Sequence, residues 1–343
     1  MSFYYAGFNT SMLFSKDGDI TFAVDSFTEI SGITDFQIGW GYFLLWKEKE
    51  LYIIKRTDKD CTDSNINMQL IQIPGTITNS CKQAAIGKDN IIILSNDNEM
   101  WQYKIYDNSW KKVINFMSVR SDSESEYPVK IVQEGCTVVL TNLGRVFNVP
   151  TLVEMPKRVQ FVNVACGFDH TILLAQNGDI YSLGMGTRGQ LGHGDLEDCD
   201  SPKLIEALAG IKVTHISAAG SHSAVVTEQG DLYTWGWNTN GELGLPNQES
   251  KVVAVPTLVD FTDDQNKNVE TFVKKVECGN NFTICMMDDG TLWGSGCNKY
   301  GQLGQLRESL LNTPKFVKLK VPFDLKKIVN FKCREWGTVL ITK

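Results

Sequence analysis

The sequence predicts an all-β fold: a seven-bladed β-propeller with four antiparallel strands in each blade. Three observations predict it. A segment of about 50 residues recurs along the chain, as expected of propeller blades. Each copy contains an apolar run followed by a turn glycine. The two ends of the chain, joined head to tail, together complete one further copy.

The well-formed copies lie at about 160–310. Their apolar runs begin at His170, His222 and Phe282, and a continuous apolar run of this length is typical of a strand buried on both faces. The glycine that follows permits a hairpin turn with positive φ. A later Gly-x-Leu-Gly motif closes each copy with further tight turns. We assign structural roles in the repeat to Gly167, His170, Gly178, Asp179, Gly189, Gly192, His222, Gly230, Asp231, Gly241, Gly244, Gly279, Gly290, Gly301 and Gly304.

Weaker copies occupy about 30–150. The positions equivalent to His170 are predicted to be Gly41, Asn90, Cys136, His222, Phe282 and Trp336. Residues 3–9, which read Phe-Tyr-Tyr-Ala-Gly-Phe-Asn, match 232–238 and should complete the blade begun at 328–342. Residues 1–343 then form a single domain whose ring closure removes two free sheet edges.

These repeats resemble the regulator of chromosome condensation repeat family, whose members are seven-bladed propellers. The segments that begin at Leu191, Pro202, Trp235 and Leu243 are similar to one small member of the family. That resemblance implies a chromatin-associated interaction scaffold. Its partners would be a Jumonji-type oxygenase or demethylase and histones, in histone-methylation control and chromosome segregation, with a nuclear or cytoplasmic location.

The same resemblance leaves a second hypothesis open. The founding member of the family is a guanine nucleotide exchange factor for the small GTPase Ran, so a Ran-like GTPase is the alternative partner. The absence here of that member's basic tail weighs against exchange activity without excluding it.

Composition narrows the classes of partner. The net charge is −7 and the pI about 5.3, so we expect no direct nucleic-acid binding. The nine cysteines contain no CxxC pair, so neither a zinc site nor a disulfide framework is expected. No apolar stretch reaches the roughly 20 residues of a membrane helix. We expect a monomer outside the membrane.

No catalytic, cofactor or metal site is predicted from motifs. The segment from Gly184 to Gly189 matches GxGxxG, but it follows a short strand and precedes Gln-Leu-Gly rather than a helix, so its glycines belong to the repeat. We expect His170 and His222 to hydrogen-bond backbone between blades, because a catalyst needs a positioned partner. The recurrent turn acids, such as Asp179, are expected to cap their own hairpins.

Partner-binding candidates come from positions that vary between copies. An insertion from Pro246 to Thr271 is either a solvated loop or a docking loop, and Trp237 beside it is either a binding anchor or an inter-blade packing residue. Arg145 replaces the turn acid of other copies, through function or through drift. The candidates for partner contact are Trp237, Pro246, Val253, Pro256 and Arg145. Ser121 and Ser123, in an acidic Ser-rich stretch, are candidate phosphorylation sites.

Overall fold

Seven antiparallel sheets of four strands each surround one axis in the computed structural model, which confirms the predicted fold class. The structure describes residues 1–9, 13–14, 22–55, 68–75, 81–113, 125–154, 159–246, 250–263, 265, 267–270 and 272–343.

The strands are, in chain order, β1 (Ser2–Phe8), β2 (Ala23–Ile30), β3 (Asp35–Ile38), β4 (Tyr42–Lys47), β5 (Glu50–Lys55), β6 (Met68–Ile71), β7 (Cys81–Ile86), β8 (Asn90–Ser95), β9 (Met100–Lys104), β10 (Ser109–Lys112), β11 (Pro128–Gln133), β12 (Thr137–Thr141), β13 (Val146–Asn148), β14 (Thr151–Leu152), β15 (Phe161–Cys166), β16 (His170–Ala175), β17 (Ile180–Gly184), β18 (Cys199–Leu204), β19 (Val213–Ala219), β20 (His222–Thr227), β21 (Leu232–Trp237), β22 (Val252–Leu258), β23 (Val273–Gly279), β24 (Phe282–Met287), β25 (Leu292–Cys297), β26 (Asn312–Lys318), β27 (Ile328–Arg334) and β28 (Gly337–Thr342). Short 3-10 helices span Glu206–Leu208 and Leu325–Lys327.

Each blade uses four strands, and the first of them lies nearest the axis. Blades one to six consist of β3–β6, β7–β10, β11–β14, β15–β18, β19–β22 and β23–β26, and blade seven has the order β27, β28, β1, β2. The strands β16, β20 and β24 are buried at all six positions, as predicted for strands packed on both faces.

The N-terminal segment closes blade seven, as predicted. Strand β1 pairs with β28 through Tyr5 and Val339, and its other edge pairs with β2. The outer half of this blade is therefore two strands rather than the single segment that the sequence pattern indicated. Phe3 and Tyr5 are fully buried here, so closure adds apolar burial as well as backbone hydrogen bonds.

Two of the predicted repeat positions are wrong by one residue. Thr171 pairs with Cys166 in blade four, and Thr338 pairs with Cys333 in blade seven. The position equivalent to His170 is therefore Gly337, not Trp336. In blade one the same comparison gives Tyr42 instead of Gly41, because Phe43 pairs with Ile38. A Cβ at Gly337 would lie 2.5 Å from the Tyr5 hydroxyl, so Tyr5 fills the space of the missing side chain.

The strand order defines two faces of the ring. The turns between the first and second strands of each blade, and the loops between the third and fourth, open on what we call the upper face. The other hairpin turns and the connections between blades open on the lower face. The upper face carries both Trp40 and Trp336, each in a turn between the first and second strands of its blade.

Candidate functional site

The repeated histidines join adjacent blades. His170 Nε2 lies 2.8 Å from Ser223 Oγ in blade five, and His222 Nε2 lies 2.9 Å from Thr283 Oγ1 in blade six. The inter-blade role is as expected, but the prediction of a backbone partner is wrong. A side-chain hydroxyl lies between the histidine and the backbone. In blade six, Thr283 Oγ1 donates to the Glu242 carbonyl oxygen at 2.7 Å.

This arrangement keeps both histidines neutral. Because the Thr283 proton is used by the Glu242 carbonyl, His222 Nε2–H is the donor to the hydroxyl oxygen. Burial lowers the pKa of His170 to about 3, with nearby His222 as a smaller cause, and burial lowers the pKa of His222 to about 4. Buried neutral imidazoles that hold hydroxyls in place are structural groups.

The second residue of each Gly-x-Leu-Gly motif anchors the neighbouring blade. The Gln190, Glu242 and Gln302 carbonyls each accept a hydroxyl proton from the next blade's second strand; for Gln302 the donor is Thr338, at 2.7 Å. The side chain at the same position turns back and accepts from the backbone N–H two residues earlier. The motif thus fixes the upper-face loops to the ring.

Four aromatic side chains form a continuous surface on the upper face, which we call the aromatic rim: Phe8, Trp40, Tyr300 and Trp336. The ring centroids of Tyr300 and Phe8 lie 4.7 Å apart, and those of Trp40 and Trp336 lie 4.6 Å apart. Trp336 also lies 6.1 Å from both Phe8 and Tyr300. The rim therefore crosses three blades: six, seven and one.

A cation covers each end of the aromatic rim. Lys88 Nζ lies 5.6 Å from the centroid of the Trp40 ring, and Lys299 Nζ lies 5.5 Å from that of Tyr300. Both lysines are exposed, and Trp40 is 38% exposed. Partly exposed aromatic side chains on turns that a rigid propeller holds in place are typical of a protein-docking surface.

The contact between Tyr300 and Phe8 has a counterpart between blades four and five, formed by Arg188 and Trp237. The Arg188 guanidinium of blade four lies 5.3 Å from the centroid of the Trp237 ring in blade five and donates to Ser221 Oγ at 2.9 Å. Tyr300 has the register of Arg188, and Phe8 has the register of Trp237. Trp237 is half-buried, so it packs between blades while leaving part of its ring at the upper face.

The predicted insertion from Pro246 to Thr271 is not one loop. It contains β22, the outer strand of blade five, so Pro246 lies on the upper face while 259–263 follows that strand on the lower face. Val253 is 5% exposed and Pro256 is buried in that strand. Of the three candidates in this stretch, only Pro246 is exposed.

Arg145 has a local partner on the lower face. Its guanidinium lies 2.8 Å from Glu126 Oε2, whose side chain is 5% exposed, and 5.2 Å from the centroid of the Phe147 ring. Glu126 also accepts from Thr141 Oγ1 at 2.8 Å. The ion pair accounts for an arginine in the slot of the turn acid. Ser121 and Ser123 lie outside the described residues.

Polar side chains link the innermost strands around the axis, a feature that sequence reasoning missed. Lys130 Nζ donates to Asn163 Oδ1 in the next blade at 2.6 Å, and Lys275 and Lys332 make equivalent contacts to Asn330 and Asp35. Of these side chains, Lys130 and Asn163 line an axial cavity of about 250 Å³. The alternation of polar and apolar residues in these strands was the available signal.

A half-buried charge cluster lies where the axial cavity meets the upper face. Arg334 lies 2.8 Å from Glu134 Oε1 and 4.0 Å from Glu335 Oε1. Burial raises the pKa of Glu134 to about 7, against the effect of Arg334 and with that of Glu335. Two carboxyls thus share one guanidinium, and burial is the largest cause of the raised pKa of Glu134.

Within the described ranges, no group of three or more His, Cys, Asp or Glu side chains has the arrangement of a metal site. The same part of the chain contains no helix long and apolar enough to cross a membrane.

Comparison with protein families identifies the repeat. The model of the "Regulator of chromosome condensation (RCC1) repeat" matches residues 177–226 and 229–286, and a second model of that repeat matches 161–190, 213–242 and 273–302. The matches cover blades four to six, where the sequence pattern is clearest.

Curated relatives match about half of the chain. The human RCC1 domain-containing protein 1 is 32% identical over 202 residues, which are 50% of this chain and 54% of that protein. The human E3 ubiquitin-protein ligase HERC2 is 39% identical over 160 residues, 46% of this chain and 3% of that protein. The chain therefore spans about half or less of the length of these relatives.

Solved structures match over the whole ring. Human WBSCR16 superposes with a TM-score of 0.77 at 16% identity, covering 100% of both chains. Prp20p from Saccharomyces cerevisiae, whose structure is described with its binding to Gsp1p and histones, gives 0.75 at 17% identity, covering 99% of this chain and 90% of that one. At this identity the likeness shows the fold alone.

Proposed function

We propose that this chain, a seven-bladed propeller of the regulator of chromosome condensation repeat family, is a non-enzymatic scaffold that binds a protein partner through its upper face. The observation that carries the proposal is the aromatic rim. Trp40, Trp336, Tyr300 and Phe8 come from three blades and form one partly exposed surface.

The chemistry of the rim supports protein docking. Tryptophan and tyrosine are enriched among the residues that contribute most to binding at protein interfaces. Their rings lose little conformational entropy on binding, because they are already held by one another. Neither isolated Trp237 nor buried Val253 offers a comparable continuous surface, although Trp237 remains a candidate for a second contact on this face.

The identity of the partner is a finer proposal. We propose a chromatin-associated role with a Jumonji-type oxygenase as partner and histones as a further one, in histone-methylation control and chromosome segregation. The support is the similarity to RCC1 domain-containing protein 1 and the description of Prp20p as a histone-binding propeller. A nuclear or cytoplasmic monomer is the corresponding state.

Guanine nucleotide exchange on a Ran-like GTPase is the second candidate, because Prp20p, with the same fold, is described as binding Gsp1p. The test is release of labelled nucleotide from Ran when this chain is added. Acceleration at catalytic concentrations of the chain would favour exchange over the scaffold role.

The scaffold proposal is tested by affinity purification with the full chain and two matched variants. Trp40→Ala removes a rim ring. Tyr127→Ala removes a partly exposed ring of the lower face that carries Lys82 at 5.7 Å. We expect the first variant to lose the main partner and the second to retain it. Equal recovery by both would place the docking surface elsewhere.

A further inference from the structure

We infer that the aromatic rim binds an acidic peptide segment in which an apolar side chain is flanked by carboxylates. This inference rests on the proposed function, since it names the chemistry of the partner at that surface. It follows from the contacts that the cations at the rim make.

The two lysines at the ends of the rim have no carboxylate partner among the residues that the structure describes. Lys88 and Lys299 contact the Trp40 and Tyr300 rings, yet neither forms an ion pair with any carboxylate in the described part of the chain. An ammonium that lies on a ring still has N–H donors directed away from it. Each lysine is therefore able to receive a carboxylate from outside.

Most cations stacked on rings elsewhere in the molecule are already neutralised. Lys112, on the Trp101 ring, lies 2.6 Å from Glu99 Oε1. Lys275, on the Phe331 ring, lies 2.8 Å from Glu277 Oε1.

Arg145, on the Phe147 ring, follows the same pattern through Glu126. On the upper face, by contrast, Arg188 on Trp237 has a hydroxyl as its partner instead of a carboxylate. Among the described residues, these three ring-stacked cations of the upper face thus have no carboxylate partner, and the net charge of the chain is −7.

The positions of the two lysines predict the charge of the ligand and the placement of its charged and apolar groups. Carboxylates that pair with Lys88 and Lys299 would be held at the two ends of the rim, where the aromatic surface excludes water and strengthens charge-assisted hydrogen bonds. Between them, Trp336 and Trp40 offer ring surface to an apolar side chain. A basic segment would instead meet two like charges, which opposes binding.

One carboxylate, that of Asp89, lies beside a rim lysine in sequence, and the residue is exposed. Asp89 follows Lys88, but its charge acts on the buried Tyr42 hydroxyl, whose pKa it raises as one of the smaller causes after burial. The backbone carbonyl of Asp89 accepts from the Ile105 N–H at 3.0 Å, which fixes this turn to blade two.

The test is selection from a phage library of random 12-residue peptides against the full chain, followed by fluorescence anisotropy with the most enriched peptide. We expect enriched sequences with two or more Asp or Glu residues around a Leu, Phe or Trp. The Lys88→Glu/Lys299→Glu variant should weaken that peptide about tenfold or more, since two favourable charge contacts become repulsive.

A matched control reverses a ring-stacked cation on the opposite face. Lys82→Glu changes the lysine that lies over Tyr127 and should leave the affinity of the enriched peptide unchanged. Trp40→Ala should also lower the affinity for the enriched peptide. In the unmodified chain, the affinity for that peptide should fall as the salt concentration rises.

The outcomes separate this inference from the proposed function. Neutral or basic enriched peptides that still require Trp40 would overturn the acidic-ligand inference and leave the docking surface in place. Binding that withstands both Trp40→Ala and the double charge reversal would overturn both at this face. A selection that returns no enriched peptide also counts against a linear acidic ligand, while recovery of the partner by purification decides the docking surface separately.

Discussion

The rings of Trp40 and Trp336 contact each other with centroids 4.6 Å apart across the junction between blade one and blade seven. Blade seven is the blade that the two ends of the chain complete together. Phe8, at the end of β1, belongs to the same aromatic rim. Ring closure and the candidate docking surface therefore use the same N-terminal strand.

The first prediction concerns that strand. Phe3→Ala should lower the free energy of unfolding by about 3–5 kcal/mol, because Phe3 is fully buried where β1 of blade seven packs against blade one. Deletion of residues 1–9 should cost more and should weaken partner binding, since Phe8 goes with it. Chemical denaturation measures the stability of both variants.

Leu196→Ala is the control. It changes an exposed loop position and should change stability by no more than about 0.5 kcal/mol. A deletion variant as stable as the full chain would contradict the pairing of β1 with β28.

A second prediction concerns the bond between His222 and Thr283. Thr283→Val leaves a buried imidazole N–H without an acceptor, so it should cost about 1–3 kcal/mol more in the natural chain than in a His222→Phe background. Phenylalanine fits this register, because Phe282 holds it in blade six. Thr338→Val is the control: its hydroxyl has no histidine partner, so its cost should be the same in both backgrounds. Equal coupling for both threonines would show that the histidine bond contributes nothing.

The histidines also predict a dependence of stability on pH. Their pKa values of about 3 and 4 in the folded chain lie below the ordinary 6.5. Between pH 4 and 6.5 the two histidines therefore bind more protons in the unfolded chain than in the folded chain. Stability should fall as the pH drops from about 6.5 toward 4, by about 1.4 kcal/mol per pH unit for each histidine. Comparison of the natural chain with His170→Phe/His222→Phe isolates this term by denaturation at several pH values.

Glu134 makes that comparison necessary. Its pKa is raised to about 7 in the folded chain, so its contribution to stability is full at low pH and is lost as the pH rises through 7, opposite in sign to the histidines. Glu134 is present in both the natural chain and the double variant, so its contribution cancels in the difference between their free energies of unfolding. A double variant with the same pH profile as the natural chain would contradict the neutral, buried state of the histidines.

The sequence predicted the ring well because the strongest constraints on it are local. A fully buried second strand needs a continuous apolar run, and tight hairpins need glycine at positive φ, as at Gly178 and Gly230. Both appear in the chain as patterns that repeat. The predicted register is wrong by one residue in blades one and seven, where Tyr42 and Gly337 occupy the position of the histidine.

The aromatic rim could not be found in the same way. Its members occupy different registers in different blades, and contact between Trp40 and Trp336 depends on closing the ring. A partial signal existed, since Phe8 aligns with Trp237 and Tyr300 with Arg188. Because Trp336 was assigned to a buried register, the position that completes the surface was overlooked. Val253 and Pro256 resemble loop residues in the sequence because β22 is buried at only two of its seven positions, which gives no alternating pattern of apolar residues.

Site-specific photo-crosslinking tests the central claim most directly. A photoreactive phenylalanine analogue replaces Trp40 in one chain and Tyr127 in another, and each is irradiated in cells that express it. We predict a covalent adduct between the chain and its main partner from position 40 and none from position 127. An adduct from position 127 alone would place the partner on the lower face and contradict the assignment of the aromatic rim as the docking surface.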